Sequence, residues 1–299
     1  MAPRQSQAGR PSRLRVKVRA LVLLAGAQIA IGAAAIFARF ALTAAGPLSV
    51  SALRLGIGAL PLVAVALARG RFAVRDARTE VRLAGGGLLL ALHFAAWIAS
   101  LQHASVAVST LLVCSTPIFT EAYAIVRARR LRPLAIAGIA LALAGVAIVV
   151  GVPSRTETPV GIALALTGAV AMGAYMIVVR GCDARYDTLD VVSRTYPIAA
   201  IALTVAAFAV RDPWPPPGAH AAWAGILAMA LVSQLFGHTA LNSAVRVVSV
   251  TLVATATLLE PLIAAVAAAL VFGERLGPAT FAGAALIFGA IALAIRAER

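Results

Sequence analysis

The chain has 299 residues, 62% of them hydrophobic and only 12% charged, with 26 Lys and Arg against 11 Asp and Glu and a formal net charge of +15. Soluble domains carry roughly 45–50% apolar and about 25% charged residues, so a water-soluble globule is excluded and a polytopic membrane protein is expected. The basic excess would point to nucleic acid on a soluble protein, but here it lies between apolar runs, so the lipid bilayer accounts for it and no nucleic-acid partner is expected.

Residues 1–19, MAPRQSQAGRPSRLRVKVR, form a basic, polar tail with too little apolar surface to fold. The apolar run behind it has no clear small-residue cleavage site and is followed by many similar runs, so it reads as an uncleaved first span. A transmembrane helix needs about 20 mostly apolar residues. Ten stretches qualify: 20–38, 48–68, 82–102, 105–126, 133–152, 159–179, 189–210, 220–241, 249–272 and 278–296. Several linkers are short, Gln102-His103-Ala104 among them, which makes the flanking spans antiparallel. The break at 211–219, RDPWPPPGA, cannot be helical. Trp214 and Trp223 beside it are expected as interfacial anchors. Two cysteines, Cys114 and Cys182, make no disulfide framework and read as plain helix residues.

Lys and Arg fall unevenly over alternate connections. With the N-terminus inside, twenty lie on the inner side and four, Arg39, Arg155, Arg211 and Arg275, on the outer, while Arg54 and Arg194 lie within spans. This bias predicts that both termini are cytoplasmic.

The stretch 249–278, SVTLVATATLLEPLIAAVAAALVFGERLGP, has an earlier echo at 105–133, SVAVSTLLVCSTPIFTEAYAIVRARRLRP. A slide of 144 residues places Ser105 on Ser249, Val106 on Val250, Thr116 on Glu260 and Pro117 on Pro261. One inserted residue later, Leu131-Arg132-Pro133 meets Leu276-Gly277-Pro278. The chain therefore reads as two repeats, 20–152 and 159–296. Arg39 and Arg180 end the first and sixth spans, Arg54 and Arg194 lie early in the second and seventh, and Gly138 matches Gly283 in the fifth and tenth. Five spans is an odd number, so the second copy enters the bilayer the other way round. The expected fold is an all-α integral membrane protein with ten transmembrane helices as two inverted five-helix repeats. Such an architecture places a substrate site at the repeat interface near the bilayer midplane and lets the halves alternate access.

Polar residues inside apolar spans are costly and mark candidate sites. Glu260, midway along the ninth span, reads either as a cavity group for an amino group or a proton, or as a hydrogen-bonded structural carboxyl. Pro261 beside it is expected to bend the helix. Glu121, nearer the inner end of the fourth span, is explained by pairing with the arginines that follow it. His93 and Trp97 share one helix face, as do Gln234 and His238; each pair would line a cavity or hydrogen-bond between helices. Tyr175 and Gln28 are weaker candidates. Thr116, the counterpart of Glu260, would line the same cavity or bond its own helix. Arg54 and Arg194, near helix ends, are expected to fix the joint between paired helices rather than hold substrate. The histidine spacing offers no metal motif, and neither metal nor cofactor is expected.

At these residues the chain resembles the drug/metabolite transporter superfamily, specifically the EamA-type family with two five-helix repeats. The resemblance rests on Arg54 and Arg194, on the run ASLQHASVAVSTLLVCSTPIF, on its copy ALNSAVRVVSVTLVATATLLEPLI followed by Gly273-Glu274-Arg275-Leu276, and on Gly138 and Gly283. It covers nearly the whole chain behind the basic tail. One departure is Arg129-Arg130-Leu131 in the first repeat, where the family carries a Gly-Glu pair like Gly273-Glu274. The resemblance implies a central cavity formed by the first, third, fourth, sixth, eighth and ninth spans. It also implies transport of small metabolites, often amino-acid efflux, in the cytoplasmic (inner) membrane. A monomer or homodimer is expected.

The expected function is that of a secondary carrier for a small-molecule substrate, with a proton as a possible coupling ion. The alternative is an integral-membrane enzyme acting on lipid or peptide. An enzyme would need paired aspartates, a serine–histidine pair or a metal motif. Asp76, Asp183, Asp187, Asp190 and Asp212 all lie at or outside span ends, and no phosphate loop appears for ATP drive.

Overall fold

In hydrocarbon a chain segment must satisfy its backbone hydrogen bonds internally, and long Ala-, Leu- and Val-rich runs do so as helices. In the computed structural model, which describes residues 13–104, 106–150, 158–272 and 277–297, these runs are helical and the described residues contain no strand. The elements are α1 (Val16–Ala41), α2 (Pro47–Ala68), α3 (Ala77–Ser100), α4 (Val108–Ala128), α5 (Pro133–Val150), α6 (Pro159–Arg180), α7 (Thr188–Ala209), α8 (His220–Val245), α9 (Val250–Val271) and α10 (Pro278–Ala297). Among the described residues, nine are long and apolar enough to cross a membrane, and the tenth, α5, is a shorter apolar helix over Pro133–Ile148. Arg155 and the Gly273-Glu274-Arg275-Leu276 motif lie outside the described residues, as do residues 1–12 of the basic tail.

Local chemistry sets the helix starts. Pro47, Pro133, Pro159 and Pro278 open four of them, at a position where the missing N–H has no intrahelical partner to lose. Asp76 caps α3 by accepting from the Thr79 amide at 2.8 Å, and Thr158 caps α6 through the Gly161 amide at 3.1 Å. Asp187 and Asp190 form a reciprocal capping box at the start of α7.

The bundle is apolar outside, and its largely apolar core also holds the polar side chains of the spans. Leu60, Val170, Ile201, Leu270 and Phe281 are exposed, while Gln28, Arg54, His93, Gln234, His238 and Asn242 are buried. The exterior is what differs from a soluble protein. Lipid gives no reason to hide a leucine and a strong one to hide a guanidinium.

Packing pairs each helix of one half with a helix of the other: α1 with α8, α2 with α7, α3 with α6, α4 with α9 and α5 with α10. Exchanging the first five helices for the last five leaves this set unchanged, as a two-fold relation requires. The α5–α10 crossing shows the relation at atomic detail. A Cβ at Gly145 would lie 2.7 Å from the Gly283 carbonyl oxygen, and one at Gly138 would lie 3.2 Å from that of Ala290. A shift of 145 residues carries Gly138 to Gly283 and Gly145 to Ala290, so these are one contact seen from two halves.

Connections from the two halves clasp at both ends. At one end, Gly46 N donates to the Pro213 carbonyl at 2.8 Å and Ser49 N to Asp212 at 2.8 Å, joining the α1–α2 and α7–α8 connections. At the opposite, arginine-rich end, Arg75 binds Asp190 at 2.8 Å, Arg71 binds Asp187 at 2.7 Å and Arg194 binds Glu80 at 2.9 Å. Trp223 donates its indole N–H to the Pro216 carbonyl at 3.1 Å, and Trp214 packs on Phe208.

Candidate functional site

The two central helices are broken at the same level. In α4 a helical segment ends at Val113 and a new one starts at Thr116, with Pro117 in its first turn. In α9 a helix ends at Ala256, a 3-10 turn covers Thr257–Leu259, and a new helix starts at Glu260 with Pro261 second. The proline accounts for both breaks, because it removes a hydrogen bond and clashes with the preceding turn. Each break sets the N-terminus of a half-helix inside the bundle, where the helix dipole favours a negative group. Glu260 sits at one of these positions, and Thr116 at the other.

A third irregularity lies opposite. The middle of α8, Met229–His238, is a π-helix, a form that concentrates at functional sites. It directs Gln234 and His238 into the interior, where both are buried. Close approach of neighbouring helices depends on glycine here. A Cβ at Gly237 would lie 2.7 Å from Ile31, and one at Gly32 would lie 2.7 Å from Ile263, which holds α1 against both α8 and α9.

These elements enclose a cavity of about 30 Å³, room for a single water. His93, Trp97, Thr116, His238 and Glu260 line it together with Ile31, Val113, Cys114, Met172 and Thr257. The walls thus come from α1, α3, α4, α6, α8 and α9, the set that the resemblance implies. Wider recesses lie towards the two ends. One of about 510 Å³ includes Arg39, Gln102 and Val106, and one of about 350 Å³ includes Arg127, Arg132, Arg180 and Thr251.

Five of the eight sequence candidates therefore meet at one place. His93 donates from Nδ1 to the Gly168 carbonyl at 2.9 Å, which ties α3 to α6. Trp97 stacks near His93, with ring centroids 6.3 Å apart. His238 meets Phe94 edge to face at 5.2 Å. Thr116 donates towards the carbonyls of Val113 at 3.0 Å and Ala169 at 3.1 Å, so it bonds its own helix and α6 while touching the cavity. Glu260 keeps partial exposure, and its Oε2 accepts from the Cys114 thiol at 3.6 Å.

The other three candidates stand outside the lining. Tyr175 donates to Asn242 Oδ1 at 2.8 Å, an α6–α8 link. Gln234 Oε1 accepts from Arg54 at 3.0 Å. Gln28 is fully buried and neither of its amide atoms has a hydrogen-bond partner among the described residues.

Two residues differ from expectation. Cys114 is more than a plain helix residue, since it lies on the cavity and bonds Glu260. Arg54 is not at a helix-end joint. Its long side chain carries the guanidinium fully into the interior, 4.1 Å over the Phe94 ring and 5.9 Å from that of Trp97. Arg194 does serve such a joint through Glu80 and Asp190. Glu121 is paired as expected, but with Arg132 at 3.0 Å, and it also accepts from Thr251 at 2.9 Å across to α9. Among the described residues no cluster of three His, Cys, Asp or Glu side chains is positioned to hold a metal ion.

A family model described as the EamA-like transporter family matches residues 18–151 and again 159–296. Among solved structures, one chain described only as a protein crystal structure aligns over 94% of this chain and 98% of its own, with a TM-score of 0.78 and 22% identity. At that identity the likeness shows the fold alone. The comparison with curated proteins gave no match.

Proposed function

This chain belongs to the EamA-like transporter family, and from that premise we propose that it is a secondary carrier that moves a small metabolite, an amino acid or a related compound, out of the cell by alternating access between two inverted repeats. One observation carries the reading. The interior cavity is walled by three helices from each half, and the two most central, α4 and α9, are broken where they meet it. Half-helices that begin beside a polar cavity between repeats are how secondary carriers hold substrate while the halves move around it. Glu260 supplies the carboxyl for a substrate amino group or a coupling proton. His93, Trp97 and His238 supply an aromatic wall with polar edges. The carrier sits in the cytoplasmic membrane with both termini inside, in keeping with the arginine-rich end where Arg71, Arg75, Arg127 and Arg132 gather.

The enzyme alternative draws no support from the cavity, which holds a lone carboxyl and neither a paired aspartate nor a serine–histidine couple among its lining residues. Purified protein in liposomes loaded with amino acids decides the matter. Carrier activity appears as flux of an unchanged compound, and conversion of a supplied compound without net flux would overturn the reading.

A further inference from the structure

Arg54 and Arg194 hold matching positions in the two repeats, yet their surroundings differ in one respect. Arg194 has carboxylates: Glu80 at 2.9 Å and Asp190 at 3.9 Å. Arg54 is fully buried, and among the described residues no carboxylate forms an ion pair with it. Its protein partners are the Gln234 carbonyl oxygen at 3.0 Å, the weakly accepting Met229 sulfur at 3.9 Å and the face of Phe94. A buried guanidinium normally has an anion beside it, because desolvating the charge is expensive.

Arg54 is also not alone in lacking an acceptor. Its Nε, the indole Nε1 of Trp97 and the amide Nε2 of Gln234 are all buried donors without a hydrogen-bond partner among the described residues. A buried donor left without an acceptor loses the hydrogen bond it made to water and gains none in return. They belong to one cluster, since Gln234 is bonded to Arg54 and the Trp97 ring lies 5.9 Å from it. The unused Nε–H of a fully desolvated guanidinium, with the unused Trp97 and Gln234 donors on its neighbours, forms a receptor for a planar acceptor-rich group of the kind Arg binds through paired N–H bonds. The cavity is now too small for any metabolite, and Trp97 stands both on its wall and beside Arg54. A cavity that widened past Trp97 would open towards the guanidinium, 5.9 Å from that ring.

We propose that Arg54, with the Trp97 indole and the Gln234 amide, is the specificity-determining subsite that binds a carboxylate of the transported compound, across the cavity from Glu260. The inference rests on the carrier reading above. It makes the anionic end of the substrate a requirement for transport, with Arg54 as the residue that imposes it.

The test uses the full chain in liposomes, loaded in one set with the twenty L-α-amino acids and in another with the amines that remain when their carboxylates are removed. Efflux is read by mass spectrometry. The wild type is expected to move at least one amino acid and not its amine. Arg54→Gln should cut that flux at least tenfold, and Arg54→Lys, which keeps the charge without the fork, should restore part of it. Trp97→Phe keeps the ring and removes one N–H, so KM should rise several-fold while kcat stays within about twofold. Equal transport of acid and amine by the wild type, or an unchanged KM in both Arg54→Gln and Trp97→Phe, overturns the subsite and leaves the carrier reading standing. Absence of flux from either set in the wild type overturns the amino-acid reading and the subsite with it. Should Arg54→Gln elute as aggregate, the acid-to-amine ratio of the wild type and the KM of Trp97→Phe decide.

Discussion

Glu260 and Thr116 occupy the same place in the two repeats and face the same cavity, but only one of them can carry charge. Thr116 spends its hydroxyl on the Val113 and Ala169 carbonyls. Among the described residues, the hydrogen-bond donor to the Glu260 carboxyl is the Cys114 thiol, a weak one at 3.6 Å. A carboxyl held so loosely at membrane depth is available to a substrate or a proton. Glu260→Gln should therefore leave expression and elution volume as they are and lower flux at least tenfold, or flatten the dependence of flux on pH. Unchanged flux and pH profile would make it a structural hydrogen-bonder. The sequence disclosed Glu260, His93, Trp97, Thr116 and His238 because each is a polar or amphipathic side chain inside an apolar run. It showed Arg54 but concealed its central place, because seven residues of helix separate it from the start of α2 and only the reach of its side chain makes it central. Cys114 was concealed too, because a cysteine among apolar residues gives no signal until its neighbour across the interface is known.

At the scale of elements, the spans were legible from their length and apolarity, while the breaks were legible only in part. Pro117 and Pro261 announce the interruptions of α4 and α9. Nothing in MALVSQLFGH announces a π-helix, since that winding depends on what packs around it. At this scale one prediction rests on close packing and a second on a buried charge. Gly145→Ala puts a Cβ 2.7 Å from a backbone oxygen of α10 that has no soft end to yield, at a cost of about 1–3 kcal/mol. Gly85→Ala, where nothing lies within 4 Å, should be neutral or slightly stabilising. Melting in detergent should separate the two by several degrees, and equal melting points would mean that α5 and α10 are free to separate. The second concerns the buried Glu121, which bridges α4 and α9 through Thr251 and is neutralised by Arg132. Fully buried pairs lose roughly 3–5 kcal/mol when one partner is removed. Arg132 is 30% exposed, so solvent screening brings the expected loss for Arg132→Ala to about 1–2 kcal/mol. In the same melts, Glu121→Gln should recover most of that loss in the Arg132→Ala background, since it removes the stranded charge.

At the scale of the whole molecule, the helix pairing and the Gly138–Ala290 and Gly145–Gly283 contacts obey one two-fold exchange, whereas the charges do not. Glu121, Arg132 and Thr251 make a clasp at one end, and the positions that correspond to them, Ala265, Gly277 and Ala107, carry nothing that could make another. The repeat sets the scaffold, and substitutions on it make the two ends unequal. That inequality is what orients the protein, because basic connections resist transfer across the membrane. The arginine-rich end, with Arg71, Arg75, Arg127, Arg132 and Arg185, is therefore expected in the cytoplasm, and the end with Gln102 and Pro213–Pro216 outside. Reporter fusions test this directly. A reporter that is active only outside the cell should give signal when fused after Arg155 or after Pro216, and none after Arg129 or Gly181. With five spans in each copy, that alternation requires the second repeat to be inverted relative to the first. A cytoplasmic signal after Arg155 together with an external one after Gly181 would reverse the whole molecule but keep the inversion. Signals of the same kind after Arg155 and after Arg129 would mean that α5 does not cross, which its shorter apolar stretch makes the most exacting point of the test.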